Sequence, residues 1–313
     1  MDSMERWRGI TETPPRWGRS AVTIGVFDGV HRGHQHIIGR AVDSARRLDA
    51  SSVVVTFDPH PAEVVRPGSQ PLRLSTLDRR AELISQLGVD GLCVQPFTKD
   101  FSRLSPEAFV HDLLVDRLHT AHVVVGENFR FGHKAAGDVA LLEKLGQTFG
   151  FTTEPVALSG SQSMVYSSTY VRSCVDAGDV ASAAQALGRP HRVSGTVVHG
   201  ADRGGSRLGF PTANLSHDPY AAVPADGVYA GWFSCQGGPS HMAAISVGTN
   251  PTFAGTERSV EAYVLDFSDD VYDREVNLDF VARVREQRTY DAIEPLIEQM
   301  HADVAQTRKL LSA

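Results

Sequence analysis

The chain has 313 residues, 21% charged and 42% apolar, an ordinary globular mix long enough for two cores. Its net charge of -7 argues against a basic surface for non-specific nucleic-acid binding, so no nucleic-acid partner is expected. Cys93, Cys174 and Cys235 lie far apart and form no Cys-x-x-Cys, no apolar run of signal length opens the chain, and no run of about 18 apolar residues occurs, so the expectation is a cytoplasmic protein with no membrane partner and no disulfide or metal framework.

Residues 22–27 are short, apolar and β-branched, and read as a buried strand. Gly29 and Gly33 punctuate a tight turn. From His34 onward Ile37, Ile38, Ala41, Ala45 and Leu48 recur at three- and four-residue spacing, which predicts an amphipathic helix. The unit is strand, glycine turn, helix, with Asp28, His31 and His34 around the turn. A helix start carries unpaired N–H groups and the positive end of the dipole, a ready place for an anion. Three readings compete for the histidines: phosphate contacts, a metal pair, or ordinary turn residues. No third ligand follows nearby and the His-Glu-x-x-His pattern is absent, which weighs against the metal.

Residues 52–57 predict a second buried strand, stopped by Asp58-Pro59-His60-Pro61 because proline cannot continue a ladder. A helix is expected over 76–87, closed by Gly88, and a weaker strand over 89–96. Ser105-Pro106-Glu107 is a helix start, running to about residue 118. Another buried strand spans 121–125, and Asp138 caps a helix to about 149. Strands alternating with helices imply a doubly wound parallel sheet with right-handed crossovers. Between strand and helix, Asn128, Phe129, Arg130, Phe131 and Lys134 stand among glycines, a surface loop or a lid with aromatics to cover a planar base. Ser167-Ser168-Thr169 precedes a helix and reads alone as a cap.

A short helix over 179–187 ends at Gly188, and composition shifts there, so the domain boundary is placed to give residues 1–188 and 189–313. Helical periodicity then disappears. Strands are expected at 191–198, 227–235, 242–247, 259–267 and 275–284; in the last, Val276, Leu278, Phe280, Ala282 and Val284 alternate with Asn277, Asp279 and Arg283. Strands with glycine-rich turns imply a small closed barrel. A helix from about residue 290 finishes the chain, with Ile293, Leu296, Ile297, Met300, Val304 and Leu311 as its apolar stripe.

The run from Gly200 to Asn214, GADRGGSRLGFPTAN, contains no Walker-type loop. It is either a glycine-rich surface turn or a phosphate nest followed by Pro211, which aims Thr212 and Asn214. Their hydroxyl and amide oxygens are hard ligands suited to Mg²⁺ beside a nucleotide. Glu261, by a period of two, falls on a face with Tyr263, Leu265 and Phe267. An acid on an apolar face is a mistaken register or a site residue, and desolvation there would suit a base.

The segment GVFDGVHRGH, residues 25–34, resembles the signature of the HxGH nucleotidylyltransferases, and with Phe57-Asp58-Pro59-His60-Pro61 it resembles the bifunctional bacterial FAD synthetases, which are riboflavin kinases and FMN adenylyltransferases. GENFRFG (126–132), SSTYVR (167–172), LGFPTAN (208–214) and GTNPTF (248–253) are similar to further elements of that family. The resemblance implies an N-terminal nucleotidylyltransferase domain and a C-terminal six-stranded antiparallel barrel with a terminal helix. It implies riboflavin, FMN, FAD and ATP as partners, ATP as co-substrate, and Mg²⁺. By the same resemblance His31, His34, Asn128 and Arg172 act on phosphates and Glu261 is the base for the riboflavin hydroxyl. Gly25, Phe27, Asp28, Ser168, Thr169, Gly200, Gly209 and Thr212 bind nucleotide, Asp58, Phe129 and Arg285 bind flavin, and Thr212 and Asn214 hold the metal. Val165 stands where Arg or Lys is common in the family, Gln287 where Glu is common, and Tyr290 where Phe is common. Two alternatives stay open: an enzyme with only the kinase active, and a non-catalytic flavin sensor. A weak homo-oligomer is also left open.

Overall fold

The computed structural model describes residues 4–15, 17–157, 160–161, 164–199, 210–252, 255–290 and 292–312. Contacts divide the chain into two units, residues 1–71 with 76–166, and residues 72–75 with 167–313.

The first unit contains β1 (Glu5–Arg8), β2 (Ser20–Ile24), α1 (Arg32–Arg47), β3 (Ser51–Asp58), α2 (Pro61–Val65), α3 (Leu77–Ser85), β4 (Gly91–Pro96), α4 (Pro106–Val110), β5 (Thr120–Gly126), α5 (Val139–Phe149), β6 (Thr152–Val156) and the two-residue strands β7 (Gly160–Ser161) and β8 (Met164–Val165). Its main sheet has six parallel strands in the order β1-β4-β3-β2-β5-β6. β2 and the interior of β3 are buried throughout, as strands covered on both faces must be, which is why they read as unbroken apolar runs. The order reverses between β2 and β5, and open α/β sheets bind ligands at the strand ends of such a switch point. β1, β6 and α2 escaped the sequence reading: β1 is charged, and β6 is an edge strand carrying Pro155. The helix from Ser105 widens after α4 into a π-helical turn at His111–Val115. Cys93 lies in the core, where burial pushes its thiol up to about 12.

The second unit contains α6 (Ser168–Asp176), α7 (Val180–Leu187), β9 (His191–Val198), β10 (Ala213–His217), β11 (Gly227–Cys235), β12 (Ser240–Thr252), β13 (Gly255–Val264), β14 (Glu275–Arg285) and α8 (Ile293–Leu311). The six strands close into an antiparallel barrel in the order β10-β13-β12-β11-β14-β9. Val193, Val197, Tyr229, Phe233, Ile245, Val260, Leu278 and Phe280 fill it. β10 is the strand the sequence reading missed, being short and set inside the motif around Thr212.

The terminal helix corrects its expected stripe. Its fully buried residues are Asp303 and Thr307, while Ile293 is 56% exposed. Asp303 is held by Arg285 of β14, whose Nε and Nη2 donate to its carboxylate at 2.7–3.1 Å, while Gln299 donates to Oδ1 at 2.9 Å.

Candidate functional site

In the first unit β2 ends at Ile24 and delivers the chain into a strained turn. Phe27 and Val30 adopt positive φ (51° and 39°) beside Gly29 (74°). Gly25 has no room for a side chain: a Cβ would lie 2.9 Å from the Phe27 ring. Phe27 is buried and stands edge-on to His34, with centroids 5.2 Å apart. His31 is the N-cap of α1, so the helix starts earlier than its periodicity suggested, and Leu48 lies beyond its end and is exposed. The backbone N–H of His34 donates to His31 Nδ1 at 3.3 Å. An accepting Nδ1 places the ring proton of His31 on Nε2, making that edge a donor. The two imidazoles stack at 3.6 Å. Gly33 keeps this arrangement: a Cβ there would meet His31 Cε1 and the Tyr166 carbonyl oxygen, both at 3.1 Å.

Asp28 is buried beside Arg80 of α3, Nη2 to Oδ1 3.9 Å. Nη1 of Arg80 also donates to Thr56 Oγ1 at 3.3 Å and to the Phe57 carbonyl at 3.5 Å. Arg80 thus ties the turn after β2 to the end of β3. Sequence reasoning missed it, although an arginine inside the Leu77, Ala81, Ile84 stripe was a visible signal. Asp58, at the end of β3, faces Arg8 at 3.9 Å and precedes a cis Pro59. Beyond β5, Asn128 is exposed, and Phe129 stacks on Phe131 with centroids 5.5 Å apart. The structure therefore places His31 and His34 at the C-terminal end of β2, Asn128 and Phe129 beyond that of β5, and Asp58 at that of β3.

In the second unit Ser167 is the cap of α6, its Oγ accepting from the Tyr170 N–H at 3.1 Å. Ser168 and Thr169 occupy the first turn, and Arg172 Nε donates to the Leu72 carbonyl at 2.6 Å. Gly200 and Gly209 lie outside the described residues, as do the side chains of Val165 and of residues 249–257.

The barrel brings Thr212, Asn214 and Glu261 together. β10 pairs with β13 so that Asn214 stands opposite Glu261. The Thr212 hydroxyl donates to Glu261 Oε2 at 3.3 Å, and Asn214 Nδ2 to the Thr212 carbonyl at 3.4 Å. Glu261 does not sit on an apolar face. Val260, Ala262 and Val264 point into the barrel, so Glu261 and Tyr263 lie on its outer side and are half-buried. The strand ends at Val264 and Asp266 turns with φ 54°, so Leu265 and Phe267 do not continue the Glu261 face. Phe210, buried just before the motif, packs edge-on against Tyr263 and His301. Arg285 is committed to Asp303 and, through Nη1, to the Glu286 carbonyl at 2.9 Å.

Hydroxyl, amide and carboxylate oxygens in one corner form a hard donor set that fits Mg²⁺. Among the described residues no group of three or more His, Cys, Asp and Glu is placed to hold a metal.

The folds and sites define a two-unit enzyme class that joins a nucleotidylyltransferase-type α/β unit to a flavokinase-type barrel. The FAD synthetase family model matches residues 13–170 and the riboflavin kinase model residues 187–311. The bifunctional riboflavin kinase/FMN adenylyltransferases of Pseudomonas fluorescens and Listeria monocytogenes are each 37% identical, the first over 98% of both chains and the second over 92% of this chain and 91% of its own. That of Escherichia coli is 33% identical over 92% of this chain and 91% of its own. The crystal structure of a macrolide-efflux protein from Streptococcus pneumoniae, 29% identical, superposes with a TM-score of 0.87 over 98% of this chain and 99% of its own. The chain belongs to the bifunctional riboflavin kinase/FMN adenylyltransferase family. Among the described residues no helix is long and apolar enough to cross a membrane.

Proposed function

We propose that this chain makes FAD from riboflavin in two ATP-consuming steps, phosphorylation to FMN and then adenylylation. The observation that supports this reading is that both motifs gather their polar side chains, His31 stacked on His34 at the start of α1 and the Thr212 hydroxyl on Glu261 of β13.

In the barrel, Glu261 takes the proton of the riboflavin 5′-hydroxyl. The hydroxyl oxygen bonds to the γ-phosphorus of ATP as the bond to the β-phosphate oxygen breaks, leaving FMN and ADP. Thr212 and Asn214 would hold Mg²⁺, which when bound neutralises phosphate charge. In the α/β unit an FMN phosphate oxygen bonds to the α-phosphorus of ATP, and pyrophosphate leaves with the broken bond, giving FAD. The Nε2–H of His31, the His34 ring and Asn128 hold phosphate oxygens and the developing charge. Ser168, Thr169 and Arg172 carry the same role by their motif. No covalent enzyme intermediate is needed. Positioning is worth about 7–11 kcal/mol in favourable cases, and fixed dipoles add to it. Asp58 and Phe129 serve the flavin.

The test is a time course of the purified protein with riboflavin, excess ATP and Mg²⁺, with the flavins separated by chromatography. FMN followed by FAD is expected. FMN accumulating without FAD would leave the kinase alone active, and bound riboflavin with no product would leave a sensor.

A further inference from the structure

The outer face of the barrel carries polar residues beyond those of the Thr212 motif. β10, β13 and β12 are neighbours, and their register sets Asn214 opposite Glu261 and Glu261 opposite Ser246. Directly opposed residues of an antiparallel pair share a face with Cβ atoms about 4.5–5.5 Å apart, so the three form one row. Ile245 and Val247 are fully buried on either side of Ser246, which puts its hydroxyl on the outer face with Glu261.

Gln287, just past β14, reaches this row. Its Nε2 lies 2.9 Å from Ser246 Oγ and 3.0 Å from the Val247 carbonyl oxygen. A carbonyl only accepts, so the atom between the two is the amide nitrogen, and it donates to both. Ser246 Oγ is therefore the acceptor in its bond with Gln287, and its own hydrogen is turned away from Gln287.

We propose that Ser246 is a positioning residue for phosphoryl transfer, poled by Gln287 so that its hydroxyl donates along the strand row to the Glu261 carboxylate. The proposal rests on reading Glu261 as the base. With Thr212 donating to one carboxylate oxygen and Ser246 to the other, the rotation of the carboxylate is fixed as the riboflavin hydroxyl arrives. The identity of residue 287 sets the direction of the bond. A glutamate there has no hydrogen to donate, so it would accept the Ser246 hydroxyl hydrogen bond itself and set a carboxylate oxygen against the partial negative charge of the Val247 carbonyl oxygen. Gln287→Glu thus inverts one hydrogen bond at nearly constant size, while Gln287→Met deletes it.

The test is steady-state riboflavin kinase kinetics on the full chain for Ser246→Ala, Ser246→Thr, Gln287→Met, Gln287→Glu, Glu261→Gln and the double variant Ser246→Ala/Glu261→Gln. Thermal unfolding of each variant, followed by circular dichroism, checks that the barrel is folded, and adenylyl transfer to supplied FMN checks the α/β unit. Ser246→Ala is expected to lower kcat roughly tenfold, the lower end for a hydrogen bond to a charged group, with KM for riboflavin unchanged. Ser246→Thr should restore most of the rate, and Gln287→Glu should lose more than Gln287→Met. Ser246→Ala should add nothing in the Glu261→Gln background. Equal rates for the two Gln287 variants, a change in KM alone, or a full additional loss in the double variant would overturn the proposal. A Ser246→Ala enzyme at the wild-type rate beside an inactive Glu261→Gln would remove this proposal alone, whereas Glu261→Gln at the wild-type rate would remove the base reading itself.

Discussion

Asp303→Ala should unfold the barrel unit at a markedly lower temperature, because it strands the guanidinium of Arg285. The side chains of the pair are only 12% and 7% exposed, and the guanidinium forks onto both carboxylate oxygens at 2.7–3.1 Å. Removing one member of such a pair leaves a desolvated charge and costs about 3 kcal/mol or more. For a unit of this size each kcal/mol lowers Tm by about 2–4 °C, so the expected drop is roughly 6–12 °C. Removing both charges with shape retained, Arg285→Met with Asp303→Leu, should recover most of that loss, since an apolar pair of similar volume is close to neutral. Asp303 raises the Arg285 pKa above its ordinary value, first through the hydrogen bonds and then through charge. A raised cationic pKa gives stability that is complete below the unfolded value and lost only as pH rises through the folded one, so Arg285 gives no pH dependence in the neutral range. Calorimetry of the single and double variants measures the drop, with flavin KM measured alongside. A Tm within a degree of wild type for Asp303→Ala, with KM for riboflavin raised by Arg285→Met, would refute the reasoning and return Arg285 to direct flavin contact.

Glu261→Gln should lower riboflavin phosphorylation by about 10²–10⁴-fold while leaving adenylyl transfer to supplied FMN intact, as assayed separately for the two products. Gly33→Ala should do the reverse and more mildly, since its Cβ would press His31 Cε1 and the Tyr166 carbonyl oxygen at 3.1 Å and shift the His31 ring by a few tenths of an ångström; adenylyl transfer, measured as pyrophosphate release, should fall while riboflavin phosphorylation holds. Arg80→Met should destabilise the α/β unit by about 3 kcal/mol, because Asp28 keeps its buried place without that cation, and urea unfolding measures it. Burial alone would raise the Glu154 carboxyl, but hydrogen bonds from Arg40 and His122 outweigh it and hold its pKa below the ordinary value. That stability is present above the unfolded value, about 4.3, and lost as pH falls through the folded one. Glu154→Gln should therefore flatten the decline in unfolding free energy as pH falls below the ordinary carboxylate value of about 4.3, and an unchanged slope would count against it.

What could be read from the sequence was what lies close together along it. β9 and β11 begin and end where glycines, prolines and alternation set them, and the turn from Gly25 to His34 carries its chemistry within ten consecutive positions. Thr212 and Asn214 could be singled out as candidates for the same reason, as neighbours in one motif. Arg80, Ser246 and Asp303 could not be, because each stands against a residue on another element, Asp28, Glu261 and Arg285; Gln287 stood out only as a departure from the family pattern, and its contact with Val247 comes from the fold. Asp303 shows how period alone misleads. It lies on a helical face with Leu296, Met300, Val304 and Leu311, and the apolar rule assigns that face to aliphatic side chains. The rule fails where a charge on the facing strand makes an acid the better fit, and Arg285 is that charge. Glu261 shows the converse: the alternation of β13 was real, but it ran in the other phase. Buried positions were those of Val260, Ala262 and Val264, leaving the acid outside the barrel beside Thr212. A strand that alternates in either phase fits a pattern of period two, and only the pairing of β13 with β10 and β12 decides which face holds the chemistry. The same pairing brings Asn214, Glu261 and Ser246 into one row, so strand register, more than any single motif, assembles the proposed phosphoryl-transfer site.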